Sequence, residues 1–408
     1  MRIERVAAGG DGVGRLGDGR TVFVPRTAPG DLVELAGVRL HKRFARARVA
    51  RVVEAGPHRT EPPCPHYTAD RCGGCQLQHL GYDAQVATKG AIVGDTLRRL
   101  GRLDVGDPVV VPANAPLEYR TKITLAVAAG GRHIGLHPYD RSADVFDLKW
   151  CHITHPELNR LWQAASRLRR SLPRDATHVV LRLDRSGGRH LIVRSPGGGE
   201  PWTGGPALQR GLERAGMDAV VWWHPEGGAP RAMAGAGEAF PATVFEQVNP
   251  AMGDLARAAA LDALGPVAGR HVWDLYAGIG ETTDQLAGAG ATVESVESDR
   301  RAVAWAEEHG PGRPVVARHA GRVEDLLAEL KRPELVVTNP PRTGMDERVV
   351  TRLAASGAER IVYVSCDPGT LARDIGRMGA GWRLAVARSF DLFPQTAHVE
   401  TVATLERS

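Results

Sequence analysis

The stretch HVWDLYAGIGETTDQLAGAG, residues 271–290, reads as an apolar strand, a glycine-rich turn and a helix. Asp274 ends the strand, and Gly278 and Gly280 form the turn. From about residue 245 onward, apolar strands alternate with helical patterns, which is typical of a doubly wound α/β sheet. Such sheets bind ligands at the carboxyl ends of their strands. We therefore expect a Rossmann-like α/β ligand-binding domain over residues 241–408.

The glycine pattern narrows the type of ligand. Glu297 ends the next strand, where a carboxylate can accept hydrogen bonds from ribose hydroxyls. The third glycine of the dinucleotide-binding fingerprint is missing, because Gly280 is followed by Glu281. The D-x-x-x-G-x-G form is similar to that of S-adenosylmethionine-dependent methyltransferases, whose cofactor carries no pyrophosphate. On this motif alone, an ordinary tight turn in an α/β sheet remains the alternative.

Bulk composition excludes several classes of protein. The 408 residues are 43% hydrophobic and 24% charged, which is ordinary for a soluble protein of several domains. There is no apolar run of about 18 residues and no signal-peptide pattern, so we expect a cytoplasmic protein without membrane contact. We also expect a monomer. A net charge of +5 permits a nucleic-acid partner without requiring one.

The first 57 residues have the pattern of a small β-barrel. The strand-like runs TVFVP, LVELAGV and ARARVARVVEA are separated by segments rich in turn residues. Five-stranded barrels of this size commonly bind oligonucleotides, and GVGRLGDGRTVFVPRTAPGD resembles the TRAM domain of RNA-modifying enzymes. Arg46 and Arg48 lie in the basic segment VRLHKRFARARVARV, which indicates either a phosphate-contacting strip or a solvated sheet face.

Residues 58–240 predict a central α+β domain. The strand-like runs are KITLAVAAG, THVVLRLD, HLIVRS and AVVWWH, and the region has one helical pattern, ELNRLWQAASRLRRSL. A further helix, DAQVATKGAIVGDTLRRLG, precedes them. Whether residues of about 80–108 pack on the C-terminal domain instead is left open.

Four of the five cysteines predict a metal site. Cys64, Cys72 and Cys75 are clustered, and Cys151 lies far along the chain. Disulfides are rare in the cytoplasm, and all-thiolate ligation suits zinc or an iron–sulfur cluster. Only one short C-x-x-C pair exists, which favours a 4Fe–4S cluster over zinc. Unligated buried thiols are one alternative, and a mixed zinc site is another because of the neighbouring residues His66, His79 and His152.

The fifth cysteine follows an apolar strand. In YVSCDPGTLARD, residues 363–374, Cys366 comes at the carboxyl end of the strand, where α/β sheets bind ligands. The plainer interpretation is a small buried residue. We expect Asp367 to cap the following helix and therefore to point away from the thiol.

The preceding strand ends in Asn339-Pro340-Pro341-Arg342. A similar Asn-Pro-Pro-aromatic motif occurs in methyltransferases that act on amino groups. Arg342 takes the place of the aromatic ring, which argues against that chemistry.

Together these motifs resemble the RNA uracil-5 methyltransferase family, over nearly the whole chain. FEQVNPAM (245–252), DLYAGIG, NPPRTG, YVSCDPGTLARD and DLFPQTAHVETV follow in the family's order, and EYRTKITLAV resembles the opening of its central domain. CGGCQLQH with Cys151 resembles the 4Fe–4S site of the TRAM-containing branch that modifies 23S ribosomal RNA. Three residues depart from the usual family pattern: Glu281 and Asp367, where Asn is more common, and Asn339, where many members have Asp.

The resemblance implies a reaction and its residues. Cys366 would add to carbon 6 of a flipped uracil, and Glu400 would remove the carbon-5 proton, with a pKa raised by burial; His398 is the alternative base. The nucleophile must be deprotonated. Arg120 and Lys122 would hold RNA, unless they form an ordinary salt-bridged strand. The residues implied to bind S-adenosylmethionine are Gln247, Asp274, Tyr276, Gly278, Gly280, Glu281, Glu297 and Asn339.

Other functions remain open at this point. Transfer RNA is the second choice of substrate after 23S ribosomal RNA. A radical enzyme would need a C-x-x-x-C-x-x-C run, which is absent. A non-catalytic RNA-binding or ribosome-assembly factor would have no need for both Cys366 and Glu400.

Overall fold

The computed structural model describes residues 1–196, 202–235, 244 and 246–408. Phe245 of the FEQVNPAM motif lies outside the described residues. Three sheets organise the molecule, in the strand orders β1-β2-β3-β5-β4, β13-β12-β11-β10-β7-β8-β9 and β16-β15-β14-β17-β18-β20-β19-β6.

The N-terminal sheet is a five-stranded barrel-like unit. Val22, Val24 and Ala45 are fully buried in its core, while Arg46 and Arg48 alternate with core residues and face the solvent. The chain start pairs with β4 through a bridge between Arg2 and Leu32, which closes the sheet on itself. Its strands are β1 Arg5–Val6, β2 Gly12–Arg15, β3 Thr21–Val24, β4 Leu32–Leu40 and β5 Phe44–Glu54.

A connecting region follows the barrel. Helix α2 packs against helix α10 of the C-terminal domain, and strand β6 pairs with β19 of the C-terminal sheet. The domain limits of 57/58 and 240/241 stay predictions. The elements of the connecting region are α1 Pro65–Thr68, α2 Tyr82–Arg99 and β6 Val110–Val111.

The middle sheet has seven strands among the described residues and buries a core that includes Trp162 and Trp223. The expectation of one helix in this region was wrong. A second helix follows a glycine-rich segment whose composition is typical of a loop. In this helix, Leu208 and Leu212 are spaced so that they bury one short apolar stripe. The elements are β7 Lys122–Val127, β8 Ile134–Leu136, β9 Phe146–Asp147, α3 Pro156–Arg167, β10 His178–Leu183, β11 Arg189–Ser195, α4 Gly205–Arg214, β12 Val220–Pro225 and β13 Arg231–Ala234, with 3₁₀ turns at Ala129–Gly131 and Arg169–Ser171.

The C-terminal sheet is parallel except for β20, which runs antiparallel to both of its neighbours. The expected doubly wound α/β fold is confirmed. Its elements are α5 Pro250–Leu264, β14 His271–Leu275, α6 Glu281–Gly288, β15 Thr292–Glu297, α7 Arg300–His309, β16 Val316–Ala320, α8 Val323–Leu326, β17 Leu335–Thr338, α9 Glu347–Ala355, β18 Arg360–Ser365, α10 Pro368–Met378, β19 Trp382–Phe390 and β20 Glu400–Arg407. Within the described part of the chain, every helix is too short or too polar to cross a membrane.

The reversed direction of β20 decides what lies at the ligand-binding edge. Strand β18 ends at this edge, whereas antiparallel β20 begins there. Their pairing ends at Ser365 opposite Thr401. The next residues outward are Cys366 and Glu400, so the sheet register brings together two residues that are 34 positions apart.

Candidate active site

Cys366 and Glu400 open into one cleft at the carboxyl edge of the sheet. The cleft has a volume of about 890 Å³. Arg342 and Phe393 also line it, on the loops that follow β17 and β19. In the part of the chain that the structure describes, Arg342 forms no hydrogen bond or ion pair, so its guanidinium is available to a bound ligand.

Glu400 is a buried carboxyl group without a hydrogen-bonding partner for one oxygen. Its side chain is 1% exposed, and Oε2 has no partner among the described residues. Burial raises its pKa from 4.5 to about 8, against the opposing effect of the Arg342 guanidinium. The shift has the expected upward direction, and it favours the protonated form of this carboxyl group.

The environment of Cys366 differs from the expectation of a ready-made thiolate. Burial raises the pKa of the thiol, and the neighbouring Glu400 raises it further, while Arg342 lowers it. Asp367 is turned toward the helix as expected: its Oδ1 accepts hydrogen bonds from the backbone N–H groups of Gly369 (2.8 Å) and Thr370 (2.9 Å). Burial and the neighbouring Glu400 therefore favour the neutral thiol of Cys366.

The glycine-rich turn joins this cleft to the ends of β14 and β15. Gly278 has φ of 58° and Gly280 has φ of 88°, a backbone conformation that favours glycine. The Gly278 N–H donates to Glu297 Oε2 at 2.9 Å, which places the ribose-binding candidate directly beside the turn. Tyr276 also has positive φ, 62°, and lines the cleft.

Asp274 lies beneath the turn. Its carboxylate accepts a hydrogen bond from the Thr283 hydroxyl at 2.6 Å. Burial raises the pKa of Asp274 to about 6. This contact ties strand β14 to helix α6 and so fixes the shape of the turn.

A smaller cavity of about 90 Å³ continues from the cleft past the turn. Gln247, Tyr276, Gly278, Asn339 and Glu400 line both spaces. Seven of the eight candidate cofactor residues line one or both; Gly280, the exception, shapes the turn as the residue before α6.

Sequence reasoning missed Arg257, which lines the smaller cavity and pairs with Glu281. Arg257 occurs in a helix with mixed charged and apolar residues, and from the sequence alone such an arginine cannot be distinguished from one that faces the solvent. Sequence reasoning also assigned no role in the site to Phe393. His398 packs edge-on against the Phe393 ring, with 6.0 Å between ring centroids.

The four clustered cysteines line a separate cavity of about 160 Å³ in the central region. Burial raises the pKa values of Cys64, Cys72 and Cys75, that of Cys72 to about 11. Cys151 lies on the segment before α3 and faces the same cavity. Among the described residues, no three His, Cys, Asp or Glu side chains are arranged to hold a single metal ion.

Two of the neighbouring histidines are engaged elsewhere. His66 Nδ1 lies 2.6 Å from Asp70, and its Nε2 accepts a hydrogen bond from the Lys149 N–H at 3.1 Å. His79 Nδ1 lies 2.7 Å from the Tyr67 hydroxyl. His152, the third of these histidines, lines the cavity together with the thiols.

The cysteine-rich loop contacts the active-site loop directly. The backbone N–H groups of Gln76 and Leu77 both donate to the Gln395 carbonyl at 3.0 Å. The Gln85 side chain exchanges two hydrogen bonds with Gln395, at 2.9 and 3.0 Å. The loop that leads into Glu400 is thus held by the segment that follows Cys75.

The RNA-binding candidates fall in two places. Arg120 lines both the cysteine cavity and the cleft, and its Nε donates to the Lys122 carbonyl at 2.7 Å. Burial, reinforced by Arg182 and other arginines, lowers the pKa of Lys122 to about 8. Arg46 and Arg48 lie on the barrel, and Arg46 is paired with Asp11 at 3.2 Å.

The fold and the cleft define a class I methyltransferase. Residues 315–408 match the tRNA (uracil-5-)-methyltransferase family model, and residues 2–50 match the TRAM domain model. An uncharacterized RNA methyltransferase of Gloeobacter violaceus is 36% identical to the chain, covering 100% of it and 96% of the relative. The chain belongs to the S-adenosylmethionine-dependent RNA uracil-5 methyltransferase family.

Other similar proteins agree with this placement. The 23S rRNA (uracil(1939)-C(5))-methyltransferase of Dechloromonas aromatica is 32% identical, with 95% of each chain covered. The protein of the same name from Thiobacillus denitrificans is 33% identical, covering 98% of this chain and 97% of the relative. The crystal structure of Pyrococcus abyssi tRNA (uracil-54, C5)-methyltransferase with S-adenosyl-L-homocysteine shares the fold, with a TM-score of 0.71, 22% identity and 99% of each chain covered.

Proposed function

We propose that this protein transfers a methyl group from S-adenosylmethionine to carbon 5 of a uridine in 23S ribosomal RNA. One observation carries the proposal: Cys366 and Glu400 face the same cleft, which continues into the cavity beside the glycine-rich turn. The names of the Dechloromonas and Thiobacillus relatives support ribosomal RNA as the substrate. The TRAM barrel supports an RNA partner.

The Cys366 thiol first releases its proton to solvent, and the thiolate then adds to carbon 6 of the flipped base, which makes carbon 5 nucleophilic. Carbon 5 then takes the methyl group, and S-adenosylhomocysteine leaves. Glu400 removes the carbon-5 proton, the C6–S bond breaks, and the C5=C6 double bond and the thiolate are restored. The balance is one methyl group transferred and one proton released.

Before the cofactor binds, the raised pKa values of Cys366 and Glu400 favour the protonated form of both proposed catalytic groups. The bound cofactor would shift this protonation balance. The sulfonium of the cofactor carries a positive charge, and the residues that line both spaces support a position for it next to Glu400. A nearby cation lowers the pKa of a carboxyl group, so binding would prepare Glu400 as a base. Arg342, whose charge already lowers the pKa of both groups, would stabilise the Cys366 thiolate in the same cleft.

The cofactor would lie across the turn, with its ribose at Glu297 and its sulfonium between Asn339 and Glu400. Asn339 is exposed to the cleft, and its amide can serve as donor and acceptor. Replacement of the family's more common Asp by Asn removes one negative charge next to the sulfonium.

We also propose that the cysteine cavity holds a 4Fe–4S cluster. The donor set fits: four cysteine thiols line one cavity, and all-thiolate ligation suits an iron–sulfur cluster. The cluster would tie the loop that carries Cys64, Cys72 and Cys75 to the segment before α3 that carries Cys151. Its ligands would be Cys64, Cys72, Cys75 and Cys151.

Metal analysis after anaerobic purification tests the cluster. About four irons and four sulfides per chain, with broad absorbance near the visible range, are expected. One zinc per chain without sulfide would contradict it.

Methylation of defined transcripts tests the substrate. Purified protein is incubated with methyl-labelled S-adenosylmethionine and unmodified 23S ribosomal RNA or transfer RNA, and the product nucleoside is identified. We expect 5-methyluridine in the 23S transcript. Label confined to transfer RNA would contradict the ribosomal assignment, and label in neither would contradict the activity.

A further inference from the structure

The small cavity beside the glycine-rich turn has a charge arrangement that no part of the proposed mechanism uses. It extends from the proposed sulfonium position toward helix α5, on the side of the turn away from Glu297. A cofactor with its ribose at Glu297 and its methyl at Glu400 would place its amino-acid tail here. That tail carries one ammonium and one carboxylate group on the same carbon.

Arg257 and Glu281 supply one charge of each sign at this place. Arg257 is the only cation among the described residues that line the cavity. Its Nη2 is paired with Glu281 Oε2, and the two side chains are 13% and 29% exposed. Removing two such charges from water is costly unless each is well matched, and an ion pair that faces an enclosed cavity can match a ligand of complementary charges.

The pair is held in place from behind. Asp254 accepts from Arg257 Nη1 at 2.7 Å, and Arg185 reaches Glu281 Oε1 at 2.7 Å. Arg185 belongs to the turn between β10 and β11 of the middle sheet and does not line the cavity. These contacts keep the charged ends of Arg257 and Glu281 oriented before a ligand enters, which reduces the ordering cost of binding.

We propose that Arg257 binds the α-carboxylate and Glu281 the α-ammonium of S-adenosylmethionine, an assignment that rests on the function proposed above. In this arrangement, the carboxylate of the zwitterionic tail faces Arg257 and its ammonium faces Glu281. Glu281 also departs from the family's usual Asn at this position. Its partner Arg257 explains how the chain accommodates the added negative charge.

A matched pair of ligands tests the carboxylate half. Binding of S-adenosylmethionine and of decarboxylated S-adenosylmethionine is measured by calorimetry on the wild type and on Arg257→Met. The substitution should weaken S-adenosylmethionine by about 10- to 100-fold, the range for a hydrogen bond to a charged group, and the decarboxylated ligand by less than about 3-fold. Equal weakening of both ligands, or of neither, would overturn the assignment.

Two further variants keep the result interpretable. Arg185→Met removes a contact that orients Glu281 without touching the cavity, so it should weaken both ligands equally, by less than about 10-fold, whereas Arg257→Met weakens only S-adenosylmethionine. Glu281→Gln should weaken both ligands alike, by about 3- to 10-fold, because both retain the ammonium. Unchanged binding of both to Glu281→Gln would overturn the ammonium half.

Failure of the proposed function gives a different result from failure of this assignment. If the wild type binds neither ligand, the cofactor itself is wrong and the assignment falls with it. If the wild type binds S-adenosylmethionine but Arg257→Met shows no selective loss, only the assignment is wrong.

Discussion

The cysteine cavity and the Cys366 cleft place the same functional group in two different surroundings. Burial raises the pKa of the thiol in both. After burial, the largest influence on the pKa of Cys75 comes from another cysteine, Cys151, whereas the pKa of Cys366 is influenced by Glu400, Arg342 and Asp367. Burial alone therefore does not distinguish a metal ligand from a nucleophile; the distinction comes from the groups that can accept a proton or stabilise a negative charge beside the sulfur.

The largest expected effect is on turnover. Cys366→Ser should reduce methyl transfer by about 10⁴-fold or more, because Cys366 is the only thiol among the described residues that line the cleft. Labelled methyl incorporation into RNA measures it. Iron content and thermal stability should match those of the wild type. If Cys366→Ser retains a tenth of the activity, the comparison between the two cysteine environments fails.

Substitution of a cysteine in the cysteine cavity should mainly affect metal content and stability, with a smaller effect on turnover. Cys75→Ser should prevent binding of the proposed cluster and lower the melting temperature. It should also reduce kcat by about 10-fold, because the loop after Cys75 holds Gln395 and the segment that leads into Glu400. Hydrogen exchange of residues 391–398 should increase. Loss of iron without any change in that segment would show that the two regions are independent.

The Glu400 carboxyl should make stability depend on pH. Its folded pKa is about 8, raised from an ordinary 4.5, so the native protein holds a proton that the unfolded chain releases. Stability should therefore decrease as pH rises from about 4.5 to 8, and Glu400→Gln should lack this contribution. We expect the variant to gain about 2 °C in melting temperature relative to the wild type between pH 6 and 8. A constant difference across this range would contradict the buried acid.

The smallest expected effect concerns the barrel, away from both cysteine environments. Arg48→Ala should weaken RNA binding only a few-fold and lower the salt dependence, the slope of log K against log salt, by about 1, as expected for loss of one phosphate contact. Arg51→Ala is the control, since Arg51 is paired with Glu34 at 2.6 Å. Equal effects of the two substitutions would contradict a specific phosphate contact at Arg48.

The sequence predicted the N-terminal barrel and the C-terminal α/β fold because their signals are local. The turn of residues 278–280 and the alternation of Arg46 and Arg48 with apolar neighbours can be read within a few positions. Helix α4 was missed because a glycine-rich segment precedes it and its apolar stripe spans only Leu208 and Leu212.

The active site could be predicted only in part, for a physical reason. Cys366 and Glu400 are joined by the register of β18 against antiparallel β20, which no short-range pattern encodes; the family resemblance alone connected them. The place of Arg257 in the site could not be predicted, because its partner Glu281 lies on another helix. The protonation of Cys366 could not be predicted, because it depends on burial and on a neighbour 34 positions away.

The central claim, that Cys366 attacks carbon 6 and a base then removes the carbon-5 proton, is tested most directly with RNA containing 5-fluorouridine. Fluorine cannot leave as a proton, so the enzyme should remain bonded to the methylated base. We predict a covalent protein–RNA complex that requires S-adenosylmethionine, survives denaturing electrophoresis and maps to Cys366. Absence of this complex with the wild type, or its undiminished formation by Cys366→Ala, would contradict the account.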